Sequence, residues 1–275
     1  EISECLVGSE MCIRDRGYRS CIKKRCVKGS LFASVVRVFS MKFHKMINVY
    51  KNVYAFITPS EFLKKKLALN GFDEKRIHCI PTFTASKTTI GEPQIGSYGL
   101  YFGRVTEEKG VETVIKAYEK LPEYTVKIMG DDTTDEAKRL KKYVKDHKMK
   151  NVEFLGFKSG EELEDIIKGA RFTLIPSIWY DNLPNTALES FQYSKPVIAS
   201  NIGSLPELVS DGENGYLFEP SNVEDLIKKI KMLDDDILVK KMGQASRKRL
   251  ENRFAPQSHY EALMKIFNEA VKNRK

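Results

Sequence analysis

Apolar residues follow two rhythms in this chain, and the rhythms alternate. Between Leu31 and Tyr50 they fall at Phe32, Val35, Val36, Phe39, Phe43, Met46, Ile47 and Tyr50, with Arg37, Lys42 and Lys45 between them. Steps of three and four predict one amphipathic helix. With a basic polar side, such a helix either packs under a domain or lies on a membrane surface. Two short apolar runs follow, "VYAFITPS" and "RIHCIPTF", on either side of a helical stretch from Glu61 to about Asn70 that Gly71 stops. Residues 84 to 97, "TASKTTIGEPQIGS", have no period and carry Gly, Pro, Ser and Thr, which predicts a linker.

Beyond the linker the alternation becomes regular. "YGLYFGRV", "YTVKIMG", "NVEFLGF", "RFTLIPSI", "KPVIAS" and "GYLFEP" read as strands. "GVETVIKAYEKL", "DEAKRLKKYVKDH", "GEELEDIIKGA" and "PNTALESFQYS" read as the helices between them, and three charged helices close the chain. Strands alternating with helices of this length predict βαβ units and a parallel sheet covered on both faces. The expected class is α/β, with a Rossmann-like domain over residues 91–255. The tail of a second Rossmann-like domain is expected over 17–90, and a final helix over 256–275 that reaches back to it.

Composition is ordinary for a globular protein, 41% hydrophobic and 30% charged, and no apolar run is long enough to span a membrane. The net charge of +9 matters only once it is divided. Residues 17–90 hold 15 Lys and Arg against 3 Asp and Glu, whereas 91–275 hold 29 against 30. The basic excess therefore belongs to the first third, as a solvated face or as contact with an anionic surface such as a membrane. Five cysteines, without metal-ligand spacing, read as reduced thiols of a cytoplasmic protein. The first sixteen residues, "EISECLVGSEMCIRDR", have no signal-peptide pattern and no period. They resemble translated adapter sequence, so 1–16 is expected to be a non-native leader on a chain that starts partway through a longer protein.

Ligands of an open α/β sheet bind beyond the carboxyl ends of its strands, which directs attention to the turns. The first is Gly103-Arg104-Val105-Thr106-Glu107-Glu108-Lys109-Gly110. Glycine permits close backbone approach, and an Arg fork with a Lys point charge suits a diphosphate. A surface turn whose Lys merely opens a helix fits the same residues. The second is "WYDNLPNTALES", where an exposed-looking Trp179-Tyr180-Asp181 precedes a helix starting between 183 and 185. The amides around Asn182, Leu183, Pro184 and Asn185, with the positive end of the helix dipole, would then face the crevice reached by Arg104 and Lys109. Asp181 and Glu189, eight residues apart, would contact different parts of one extended ligand. The alternative is that Asp181 caps the helix and Glu189 pairs with a lysine.

"YFGRVTEEKGVETVIKAYEKL", "VEFLGF", "WYDNLPNTALESFQYSKPVIASNIGSLPELV" and "DGENGYLFEP" together closely resemble the retaining nucleotide-sugar glycosyltransferases of the GT-B fold, in the family-four group (glycosyl transferases group 1). The resemblance covers about residues 98 to 260. It implies that residues 91–255 form the donor-binding domain and 17–90 the end of the acceptor-binding domain. It further implies that Arg104 and Lys109 hold the donor diphosphate, beside Gly103. Asp181 would take donor-sugar hydroxyls, Glu189 the ribose, and backbone at Phe157 and Lys158 the base. Arg104, Lys109 and Asp181 would be the catalytic residues. Two positions depart from the family pattern: Asp181 stands where the family has Glu, one methylene longer, and "GDDTT" from Gly130 stands where a second glycine is frequent.

The activity implied is transfer of a sugar from a nucleoside diphosphate sugar to an acceptor hydroxyl, with retention of configuration and without a metal ion or other cofactor. The partners implied are the donor, a glycan or lipid-linked acceptor, and a membrane surface at the inner face of the cell envelope. A nucleotide-sugar epimerase of similar fold is one rival. The other is a nucleic-acid binder using 17–90, but the aromatics there fit helix-core spacing better than a stacking platform, so no nucleic acid partner is expected.

Overall fold

The structure, a computed structural model, describes residues 19–23, 25, 27, 29–84 and 94–273. The leader expected over 1–16 and most of the linker expected over 84–97 lie outside the described residues. The chain divides into two compact units, Pro81–Tyr260 forming one and the segments up to Ile80 and from Glu261 the other.

In the unit that ends at Ile80, α1 (Arg19–Lys23) and α2 (Leu31–Met46) are followed by a 3-10 turn, Val49–Asn52. The amphipathic helix is shorter than its apolar period suggests, because Asn48 adopts a left-handed conformation, φ 49°, that ends it. Its buried stripe is Ser34 and Val38, while Phe32, Phe39 and Met46 are exposed. Next come β1 (Phe56–Thr58), α3 (Glu61–Leu69) and β2 (Ile77–Cys79), the two strands pairing in parallel. Helix α3 starts where the Ser60 side chain accepts the Leu63 N–H at 3.2 Å and stops before Gly71, φ 91°.

The larger unit holds β3 (Tyr98–Phe102), α4 (Val111–Glu119), β4 (Thr125–Met129), α5 (Asp135–Asp146), β5 (Val152–Gly156) and α6 (Gly160–Lys168). It continues through β6 (Ala170–Ile175), α7 (Asn185–Gln192), β7 (Val197–Ser200), the single-turn α8 (Leu205–Leu208) and β8 (Gly215–Phe218). Helices α9 (Val223–Lys231), α10 (Asp236–Arg253) and α11 (Pro256–Lys272) complete the chain. The strands form one parallel sheet in the order β5-β4-β3-β6-β7-β8. Its core sits between the central strands and the helices: Leu100, Val114, Ile115, Val126, Ile128, Leu174 and Ile198 are all essentially inaccessible. Burying each such side chain contributes about 1.5–3 kcal/mol. Helix α7 adds Ala187, Leu188 and Phe191 to a second cluster that includes Leu250 and Phe254 at the end of α10.

The strand order positions the site. From β3 the chain builds outward through β4 to β5, then returns to lay β6 on the other side of β3. Connections from β3 and β6 leave in opposite directions, so a crevice opens between the two turns that follow them. Those turns are 103–110 and 176–184.

Candidate active site

Close backbone approaches bring three turns together. Gly110, φ 67°, lies against the β6 turn so tightly that a Cβ there would stand 2.0 Å from the Pro176 carbonyl oxygen. The Ile178 N–H donates to the Glu108 carbonyl at 3.0 Å across the same seam. A Cβ on Gly130, at the end of β4, would come within 1.9 Å of the Gly103 carbonyl oxygen. At Gly130, therefore, the single glycine of "GDDTT" is the one that the packing requires. Beyond it the Thr134 hydroxyl donates to the Val105 carbonyl at 2.7 Å and accepts the Ala137 N–H, fixing the start of α5 to the first turn. The Tyr101 phenol donates to the Arg104 carbonyl. Burial, with Asp181 and Glu108 nearby, pushes that phenol far above its ordinary range, so it remains a donor.

A cavity of about 330 Å³ opens where these turns meet. Gly103, Arg104, Phe157, Lys158 and Glu189 line it, with Gly130, Asp131 and Thr186. Five expected site residues are thus gathered from three separate segments, the turns after β3 and β5 and helix α7. Phe157 is 75% exposed at this site, and Lys158 is tied to Glu162 by an ion pair of 2.5 Å. Arg104 is exposed, and its guanidinium has no acceptor among the described residues. Glu189 is half-buried, and burial raises its pKa above the usual carboxylate value. It makes no hydrogen bond or ion pair among the described residues, so the lysine partner that the sequence allowed for it is not found. A desolvated carboxylate facing a cavity without a counter-charge is an acceptor awaiting donors.

Lys109 and Asp181 are not in that lining. They face each other, with Lys109 Nζ donating to Asp181 Oδ1 at 2.6 Å. Asp181 is buried at 8% exposure and Trp179 half-buried, whereas the sequence suggested an exposed stretch. The reason is Ser204, wholly buried, whose backbone N–H and hydroxyl both donate to the Asp181 carbonyl at 3.2 and 2.8 Å. The same hydroxyl oxygen accepts the Leu183 N–H at 2.7 Å. Leu183 itself is a core residue with φ 54°. Its amide is therefore engaged by the protein, and Pro184, which has no N–H, caps α7 from outside rather than opening its first turn. The amides left without an acceptor among the described residues at this end are those of Asn185 and Thr186. Asp181 does not cap the helix, since its carboxylate points to Lys109, Ser177 and Trp179.

Residues 87–249 match the family model described as glycosyl transferases group 1. The chain belongs to this family. Over 174 residues it is 30% identical to an uncharacterized glycosyltransferase of Methanocaldococcus jannaschii, covering 63% of this chain and 48% of that protein. A glycosyltransferase from Rickettsia africae superposes with a TM-score of 0.74 at 22% identity, over 82% of this chain and 67% of that one. The Anabaena protein HepE, solved in complex with UDP and glucose, superposes at 0.70 and 19% identity, over 78% and 63%. These likenesses establish a GT-B-type fold. The chain spans about half the length of the curated relatives it matches.

In this chain the residues that sequence reasoning passed over are Ser177, Trp179, Thr186 and Ser204. Ser204 stands within the "NIGSLPELV" motif, and Trp179 beside Asp181 in "WYDNLPNTALES", but neither spacing nor residue type assigns them a bond. Among the described residues no group of three His, Cys, Asp or Glu stands where it could share a metal ion, and no helix is long and apolar enough to cross a membrane.

Proposed function

We propose that this chain carries the nucleotide-sugar donor site of a glycosyltransferase that moves a sugar from a nucleoside diphosphate to an acceptor hydroxyl with retention of configuration. The observation that carries the reading is Glu189: a desolvated, unpartnered carboxylate on the wall that also presents Arg104, in a chain of this family. Glu189 takes the ribose hydroxyls, and backbone at Phe157 and Lys158 borders the base. Arg104 and Lys109, with the free amides at the start of α7, carry the diphosphate. Asp181, beside Lys109, belongs at the junction of phosphate and sugar. As the bond to the sugar breaks, charge grows on the departing diphosphate, and fixed positive groups stabilise that charge more than the ground state. In this reading two cations and a helix dipole supply what a metal ion supplies elsewhere. The complex of HepE with UDP and glucose supports a nucleotide donor for this fold. The acceptor is a glycan or a lipid-linked glycan, and the basic 17–90 region rests on an anionic membrane surface.

Titration calorimetry with UDP, GDP and ADP tests the donor site. One of the three binds, with equal affinity in EDTA and in magnesium, and Lys109→Ala removes most of that binding. Binding that requires magnesium would overturn the metal-free reading, and no binding of any of the three would overturn the site.

A further inference from the structure

Lys109 reaches its position through a small buried assembly. Its ammonium donates to Asp181 Oδ1 at 2.6 Å and stands 5.7 Å from the centre of the Trp179 ring. The two side chains are only 17% and 10% exposed. Asp181 Oδ1 also accepts the Trp179 indole N–H at 3.3 Å, and Oδ2 accepts the Ser177 hydroxyl. Ser177 is itself 1% exposed, and the Asp181 backbone is clamped by Ser204. A carboxylate offers about four acceptor directions. Here three are taken by the protein and the group is buried, which leaves no open face for paired sugar hydroxyls. Lys109 is the reverse case: of its three N–H groups one goes to Asp181 and two remain. A free lysine side chain carries about 2 kcal/mol of rotamer entropy. Fixing it before a ligand arrives removes that cost from binding.

We propose that Asp181 acts on the donor through Lys109, and that Ser177 and Trp179 are positioning residues that hold the Asp181 carboxylate so that the two remaining N–H groups of Lys109 meet the diphosphate. This rests on the donor-site reading above and departs from the role that the resemblance implies for Asp181, since the aspartate then orients a cation instead of taking the sugar hydroxyls. The shorter side chain fits that role, keeping the carboxylate against Ser177.

The two ways in which Asp181 can act differ in what they do to ligands with and without a sugar. Calorimetry is run on the full chain with whichever nucleoside diphosphate the wild type binds and with its glucose conjugate. Ser177→Ala and Asp181→Asn each weaken both ligands by the same factor, roughly tenfold for loss of a hydrogen bond to a charged group. Trp179→Phe, which keeps an aromatic face and loses the N–H, has a smaller effect of the same kind. In a Lys109→Ala background Ser177→Ala changes affinity less than about twofold, because the effect runs through the missing ammonium. Urea unfolding of the same Ser177/Lys109 cycle without ligand shows non-additive losses, because the two side chains are joined through Asp181. Loss confined to the sugar conjugate in Asp181→Asn, or additive losses in the cycle, would overturn the proposal while leaving the donor site standing. A wild type that binds no nucleotide would overturn both.

Discussion

Glu189 illustrates how a single residue can be costly to the fold and useful to the site. Its carboxylate loses water in the cavity wall and gains no counter-charge, and its pKa rises for that reason alone. The folded state therefore holds the proton more tightly than the unfolded chain does. That preference is fully present below the unfolded pKa and is lost as pH rises through the folded one, above which the buried, ionised group is a net burden. Glu189→Gln removes the burden and keeps the shape. The expected result is a variant more stable than the wild type in urea unfolding at pH 7 that binds the nucleoside diphosphate roughly tenfold more weakly. A variant with reduced stability and unchanged affinity would show Glu189 to be a structural residue. Much of this was legible in the sequence: the place of Glu189 in a helix beyond a strand end, and the Gly103-Arg104 turn, follow from periodicity and from where open sheets bind ligands. The bonds of Ser177, Trp179 and Ser204 were not. Each depends on the backbone folding back across a turn, at Gly203 and Leu183, and a hydroxyl in a sequence does not announce which carbonyl will lie 2.8 Å away.

Elements show the same division. Each strand of the sheet was legible as an apolar run and the longer covering helices as three-and-four periods, because burial on one or both faces is written directly into residue type, whereas the single-turn α8 is too short to show a period. Lys195, which opens "KPVIAS" before β7, was not. Lysine is seldom fully buried, yet Lys195 is 1% exposed, and its ammonium donates to the carbonyls of Gln94, Lys168 and Ala170 at 2.7, 2.5 and 2.8 Å. One side chain thereby joins the end of α6, the start of β6 and the approach to β3. Burial pushes its pKa down from 10.5 to about 8. Between those values the unfolded chain binds more protons than the folded one, so the contribution of Lys195 is greatest above pH 10.5 and is lost as pH falls toward 8. Lys195→Met leaves three buried carbonyls without their donor, at a cost of about 2–4 kcal/mol. The gap in unfolding free energy between wild type and variant, measured with urea, widens from pH 8 to 10. A gap that narrows over that range would mean that the three carbonyls hold the proton more strongly than burial expels it.

At the scale of the whole molecule, charge and apolar exposure are both concentrated in the first third. Residues 17–90 carry 15 basic against 3 acidic side chains, and α2 presents Phe32, Phe39 and Met46 to solvent beside an exposed Lys42. An interfacial helix binds through two additive terms, apolar area inserted at the headgroup boundary and attraction to anionic lipid. The second term is about 1 kcal/mol for each basic residue near the surface and falls within a Debye length, about 8 Å at physiological salt. The two terms can be separated in sedimentation with vesicles. The chain is expected to pellet with vesicles containing phosphatidylglycerol and to remain in solution with phosphatidylcholine alone, and 0.5 M salt, roughly halving that screening length, releases most of it. Phe39→Ser with Met46→Ser weakens pelleting at every salt concentration, because it removes the apolar term, and leaves nucleotide affinity unchanged, because the donor residues all lie in the other unit. Equal pelleting with both lipids would assign the basic residues to an ordinary solvated face and the binding to the apolar term alone, whereas pelleting with neither would leave the acceptor to reach the donor site from solution.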